Sequence, residues 1–417
     1  MDTTLTISPP RLLERWARQL AFSLLGGLKG AGLTVLEGND RFVFGDPGAE
    51  LQACVRVFDP RSYRRFLTGG SIGAAEAWVD GGWHSPDLTA LTRLFARNMA
   101  VLDRIERRLG WLTAPYHRLL HRVNHNSRAG SRANIAAHYD LGNDMYRLFL
   151  DPHMQYSSAV FPVADASLET AQEHKLRLIC ERLALRPEHH LLEIGTGWGG
   201  LACYAARHYG CRVTTTTLSR AQYDYARQQV ERGGLTGKVT LLLQDYRELD
   251  GRYDRLVSVE MIEAVGHEYL PVYFKALNRL LKPDGRLLIQ AITIDDQRYD
   301  QYRKGVDFIQ RYIFPGGCVP SVSEMCRQLR EQTDMTLTRL HDYGLHYAET
   351  LKIWSERFRR AEPGLMALGY GEDFQRLWAF YFAYCEGGFR EGSLGLVHFE
   401  AAKPGARRCQ GGNGLGG

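Results

Sequence analysis

The chain has 417 residues, 44% hydrophobic and 24% charged, which is ample for two packed domains and excludes a disordered chain. No apolar run is long enough to cross a bilayer and the amino terminus carries no signal-peptide pattern, and the scattered cysteines suit a reducing cytosol. The net charge of +5 is uneven: residues 1–133 hold 18 Lys and Arg against 12 Asp and Glu, and the remainder is close to neutral.

The first elements in chain order are an amphipathic helix, RLLERWARQLAFSLL, and two short strands around a Gly-Asn turn in LTVLEGNDRFVFG. LQACVRVFD reads as a further strand, followed by a helix from about Pro60 and a short helical run flanked by glycines in TGGSIGAAEAWVDGGW. Residues 1–100 therefore read as a small α+β domain without a catalytic motif. Residues 101–133 form a basic connector with seven Arg and two acids, interspersed with Trp111, Tyr116 and leucines. Such a mixture suits an anionic membrane surface. On charge alone, nucleic acid or a solvated helix fits as well.

From Asn134 to about Pro404 strands alternate with helices. HLLEIGT, CRVTTTTL, VTLLLQD, YDRLVSVE and GRLLIQAITI are strand-like, and LACYAARHYG, AQYDYARQQVERGG and YLPVYFKALNRLL are helical. Alternation of this kind predicts a mostly parallel, doubly wound α/β sheet. The tail, residues 405–417, is glycine-rich and reads as disordered. Eight cysteines without CxxC spacing suggest neither a zinc site nor a disulfide framework, and no metal is expected. Cys318 and Cys385 read as small buried residues.

LLEIGTGWGGLACYAA is strand, glycine turn, helix, with Gly195 and Gly197 where a backbone must turn tightly beneath a ligand. A dinucleotide enzyme would place an acid at the end of the next strand, but TTTTLS has none. An S-adenosylmethionine site fits better. Glu193 before the turn would orient the loop or meet the ligand's amino group, and Asp245 and Tyr246 would flank the adenine.

Six segments in order carry a more specific likeness: HYDLGNDMYRLFLDPHMQYSSAVF, LLEIGTGWGGLA, TLSRAQ, SVEMIEAVGHEYL, YIFPGGCVPS and FREGSLGLVHF. Together they resemble the cyclopropane fatty acid synthase family, and GSIGAAEAWVDGGW resembles the lipid-binding domain of its full-length bacterial members. The resemblance implies a Rossmann-like class I methyltransferase fold with a small N-terminal α+β lipid-binding domain. It implies methylene transfer from S-adenosylmethionine to the cis double bond of an unsaturated acyl chain in a phospholipid bilayer, at the inner membrane surface. Nucleic acid is then no partner, and a homodimer is the assembly it suggests.

By position, the implied cofactor contacts are Tyr156, Ser157, Gly195, Gly197, Thr217, Leu218, Gln222, Asp245, Tyr246 and Val259, with His138 and Tyr139 opening a segment that folds over the cofactor. The implied catalytic set is Ser158, Glu263, Gln290, Ile292 and Tyr381, which in the family surrounds a bicarbonate ion that removes a proton. Glu263 would accept the hydroxyl proton of that ion. Two positions depart from the family pattern: Ser158 stands for a cysteine and Gln290 for a histidine. Neither can carry positive charge. Glutamine accompanies ring formation in the plant branch of the family, so ring closure remains the expectation, with a methyl-branched or methylene product as the alternative. Glu260, three residues before Glu263, receives no catalytic role from the resemblance. The rivals from other classes are an amine N-methyltransferase and a lipid binder without turnover.

Overall fold

A computed structural model describes residues 12–99 and 142–408, which fall into two compact units. The basic connector 101–133, His138, Tyr139 and the tail beyond residue 408 lie outside the described residues. The first unit comprises residues 12–99, 305–313 and 351–393, and the second comprises 142–304, 314–350 and 394–408. Each is discontinuous, whereas the sequence reading draws contiguous spans.

In the first unit, β1 (Gly32–Glu37), β2 (Asp40–Gly45), β3 (Gln52–Val57) and β4 (Trp83–His84) form a sheet of order β2-β1-β3-β4. The two segments expected around Gly70 are one helix, Arg61–Val79, broken where Gly70 takes φ +52 and ψ −129. The helix Leu88–Arg97 is capped by Asp87, which accepts from Ala90 N at 2.8 Å. The late helix Glu372–Arg390 packs on it: Thr92 Oγ1 donates to the Ala383 carbonyl at 2.6 Å, and Arg93 and Arg97 pair with Glu391 at 2.7 and 2.8 Å. Gly387 makes that approach possible, because a Cβ there would collide with Thr92 Oγ1 and the Arg93 backbone. Residues 305–313 are tied to the same unit by Tyr312, whose hydroxyl donates to Glu76 at 2.6 Å.

In the second unit, β5 (His190–Ile194), β6 (Arg212–Thr217), β7 (Val239–Leu243), β8 (Tyr253–Val259), β9 (Leu281–Ile294), β10 (Thr336–Asp342) and β11 (Leu394–Ala402) form one sheet of order β10-β11-β9-β8-β5-β6-β7. β5 to β9 run parallel, and β11 is antiparallel to both β9 and β10. Strand alternation sends neighbouring residues to opposite faces. Leu192, Leu256 and Leu287 meet Tyr273, Phe274 and Leu277 of the helix Leu270–Leu280 on one side. Leu191, Val257 and Leu288 meet Leu176 and Ile179 of the helix Leu168–Arg182 on the other. Helices thus cover both faces, as parallel strands buried on both sides require. A short helix, Pro404–Arg408, continues this unit into the stretch read as a tail.

Candidate active site

The chain winds from β5 outward through β6 to β7, then returns to the other side of β5 at β8. A sheet that reverses direction in this way leaves a crevice outside the carboxyl ends of the two central strands, here β5 and β8. The segment after β5 is the glycine turn, with Gly195 at φ +102 and Gly197 at φ +52, leading into the helix Gly200–His208. A Cβ on Gly197 would meet nothing within 4 Å, so its backbone faces open space. Glu193 anchors the turn from beneath. It accepts from Thr215 Oγ1 at 2.6 Å, and Thr215 Oγ1 is 2.7 Å from Thr196 Oγ1. Of the two roles the sequence leaves to Glu193, loop orientation is the one this geometry supports. Burial pushes its carboxyl up to about 8.

Along the same carboxyl edge, Thr217 closes β6 and donates from Oγ1 to Gln222 Oε1 at 2.9 Å, with Leu218 half-buried between them. Beyond β7, Asp245 accepts from the Arg247 guanidinium at 2.6 and 2.8 Å, and Tyr246 packs edge-on against Tyr273. Val259 is the last residue of β8. Tyr156 lies against Tyr146, which in turn lies against Trp198 in the glycine turn. The Ser157 hydroxyl accepts from Lys175 Nζ at 2.7 Å. Lys175 is fully buried; burial pushes it down to about 8, against the pull of the Glu260 charge.

Immediately after β8 the backbone takes a conformation that a non-glycine residue rarely adopts, φ +46 at Glu260. What that residue holds is a buried network. Glu260 Oε1 accepts from Ser158 N–H at 2.8 Å and from Gln290 Nε2 at 2.7 Å, and Oε2 accepts from the Tyr347 hydroxyl at 2.7 Å. The register of β9 and β11 sets His398 opposite Gln290, with Nε2 2.9 Å from Gln290 Oε1. Arg182 lies 3.5 Å from His398 Nδ1, and guanidinium can only donate, so the imidazole proton sits on Nε2. Burial first, then Arg182, holds His398 well below its ordinary range and therefore neutral. Both ends of the Gln290 amide are committed. Sequence reasoning missed Glu260, Tyr347, Lys175 and His398; the one usable signal was an acid ending an apolar strand.

Glu263 sits one turn further on. Its Oε1 accepts from Ile292 N–H at 2.6 Å, and its carbonyl accepts from Cys318 N–H at 2.7 Å, which ties the PGGC segment to it. Its Oε2 is buried and has no hydrogen-bond partner among the described residues. Burial, and next the charge of Glu260, push the carboxyl up to about 8. Ser158 Oγ donates to the Ala159 carbonyl at 2.9 Å. The structure thus brings Ser158, Glu263, Gln290 and Ile292 together with Glu260. Tyr381 belongs to the first unit, buried against Trp378 and Phe382.

The family described as mycolic acid cyclopropane synthetase matches residues 126–399. The chain belongs to that family. Two family relatives are equally similar. Tuberculostearic acid methyltransferase UfaA1 of Mycobacterium tuberculosis is 39% identical over 349 residues, 82% of this chain and 81% of its own length. Cyclopropane-fatty-acyl-phospholipid synthase of Escherichia coli K12 is 39% identical over 352 residues, 82% of this chain and 86% of its own. Among solved structures, mycolic acid cyclopropane synthase CmaA1 complexed with SAH and CTAB aligns with a TM-score of 0.61 at 33% identity, over 65% of this chain and 98% of that one. As a member of this synthetase family, the chain is an S-adenosylmethionine-dependent methyltransferase with the class I α/β fold.

Proposed function

We propose that the protein transfers a methylene group from S-adenosylmethionine to the cis double bond of unsaturated acyl chains in membrane phospholipids, closing a cyclopropane ring. The observation that carries this reading is the Glu263 carboxylate oxygen, buried and unpartnered, on the carboxyl edge of the sheet that also carries the open-faced Gly197. Bound cofactor supplies an electrophilic sulfonium methyl. Gly195, Gly197, Thr217, Leu218, Gln222, Asp245, Tyr246 and Val259 line the edge assigned to it, with Tyr156 and Ser157 beside them. A carboxyl raised toward neutrality is matched to the general-base work that ring closure needs. Tyr381 enters the catalytic set on the family resemblance alone.

Among the described residues, the expected set in the second unit does not fit a bound bicarbonate. The donors of the expected set in the second unit are already bonded within the protein: Ser158 N–H and one Gln290 N–H to Glu260, Ile292 N–H to Glu263, and Ser158 Oγ to Ala159. The Gln290 amide nitrogen also reaches the Ser158 carbonyl, at 3.3 Å. An anion placed there would face two carboxyl groups, and no step is derived through it.

Contact with the membrane is proposed for the helix Leu12–Leu25, which exposes Leu12, Leu13 and Trp16 on one side. Among the described residues no helix is long and apolar enough to cross a membrane. A location at the inner membrane surface and a homodimeric assembly belong to the same proposal.

A second product has a specific observation behind it. The relative named as a tuberculostearic acid methyltransferase is as similar as the cyclopropane synthase, which favours methyl branching as the alternative. Lipid analysis of a bacterium lacking its own synthase and expressing this chain tests both. Mass spectrometry reads the gain of one CH₂, and proton NMR separates upfield ring protons from methyl-branch or vinylic signals. No added carbon would favour an amine methyltransferase or a lipid binder without turnover.

A further inference from the structure

Among the described residues, the network around the two glutamates leaves one carboxyl oxygen buried without a partner. Glu263 Oε2 has none, while the neighbouring donors close on protein acceptors. The reason is Glu260. Its carboxylate takes the Ser158 N–H and the Gln290 amide, and Gln290 is locked from behind by His398. The backbone bears the strain of a left-handed glutamate to put that carboxylate there. A site built to hold an anion would leave those donors free.

We propose that in this protein Glu263 Oε2 is itself the proton acceptor, and that Glu260 makes a separate bicarbonate ion unnecessary by occupying the donors that would bind it. The inference rests on the alkene-methylation reading above. In that reaction the sulfonium S–CH₃ bond breaks and the methyl carbon bonds to one alkene carbon, leaving a positive charge on the acyl chain. A C–H bond of the transferred methyl then breaks, its electron pair closes the ring, and the proton passes to Glu263 Oε2. The carboxyl returns that proton to water after the product leaves. Glu263 first gives its own proton to water, an ionisation that positive charge on the reacting groups favours, and accepts the ring-closing proton as the carboxylate. Ile292 N–H holds Oε1, so the second oxygen keeps a fixed orientation.

The test uses the purified full-length protein with S-adenosylmethionine and vesicles of a monounsaturated phospholipid, in carbonate-free buffer and with sodium bicarbonate added back. The expected result is a turnover that changes by less than about twofold between the two buffers. Glu263→Gln is expected to lower kcat by at least ~100-fold in both, the ordinary contribution of a positioned base. S-adenosylhomocysteine binding by calorimetry should stay within about threefold of the parent, and Glu263→Asp should recover part of the turnover. A parent stimulated tenfold or more by bicarbonate would overturn the inference, as would a Glu263→Gln variant that keeps its turnover. If that variant does not fold, the bicarbonate comparison on the parent still decides. A parent that methylates no lipid in either buffer would instead refute the proposed function, and this inference with it.

Discussion

Glu263→Gln should change the stability of the protein as a function of pH in a direction that a neutral surface substitution cannot imitate. Burial and the Glu260 charge hold the Glu263 carboxyl up to about 8, against 4.5 unperturbed. Each tenfold difference in proton affinity between folded and unfolded chains is about 1.4 kcal/mol, which sets a ceiling of about 5 kcal/mol for this group. Local relaxation and water entry reduce such figures, and roughly half of the ceiling, 2–3 kcal/mol, is the working expectation. The folded value is raised, so the contribution is complete below the unfolded value and fades as pH rises through about 8. Glutamine has no such dependence. The variant should therefore gain stability relative to the parent between about pH 5 and pH 8. Glu193 and Lys175, also shifted by burial, remain in both proteins and largely cancel in the comparison. Urea unfolding followed by circular dichroism across that range reads the difference. Parent and variant curves that stay parallel within about 0.5 kcal/mol would refute the assignment of a buried, proton-holding Glu263.

Three further substitutions test other parts of the structure. Glu260→Gly suits the left-handed backbone and frees the Ser158 and Gln290 donors, so turnover should fall and become responsive to added bicarbonate, measured in the vesicle assay. Gly197→Ala adds a methyl where the protein leaves open space but at a positive φ. It should cost about 1 kcal/mol in unfolding experiments and weaken S-adenosylhomocysteine binding at least ~10-fold by calorimetry. Gly387→Ala drives a Cβ into Thr92 and Arg93, and should destabilise the first unit by roughly 1–3 kcal/mol while the isolated cofactor affinity stays the same.

The strands β5 to β9 were legible because each is an apolar run bounded by turn or helix signals, the pattern of strands buried on both faces. β10 was not: TLTRLHD lies at the sheet edge with nearly every residue exposed, so burial imposes no alternation on it. The glycine turn and the acids after β8 could be read locally. Their partners could not. His398 meets Gln290 only through the register of β9 and β11, and Tyr347 reaches Glu260 from a helix 87 positions further along the chain. Glu260 looked like a solubilising residue at a turn because nothing local shows that three donors converge on it. Gln290 looked like a weaker histidine for the same reason: only the folded sheet shows both ends of its amide taken.

The packing of the helix Glu372–Arg390 on Leu88–Arg97 has a consequence for how the protein is made. During translation the early helix emerges from the ribosome long before its partner. At roughly 5–20 residues per second, the stretch between Arg97 and Glu372 takes about 14–55 s to synthesise. For that interval Thr92, Arg93 and the surface that Gly387 will approach have no covering helix. The amino-terminal sheet has all four strands by His84, yet the helix beside it waits for its cover until nearly the last part of the chain. A nascent chain stalled before residue 372, or a gene cut there to yield a free amino-terminal fragment, would expose this face to chaperones and to aggregation instead of folding.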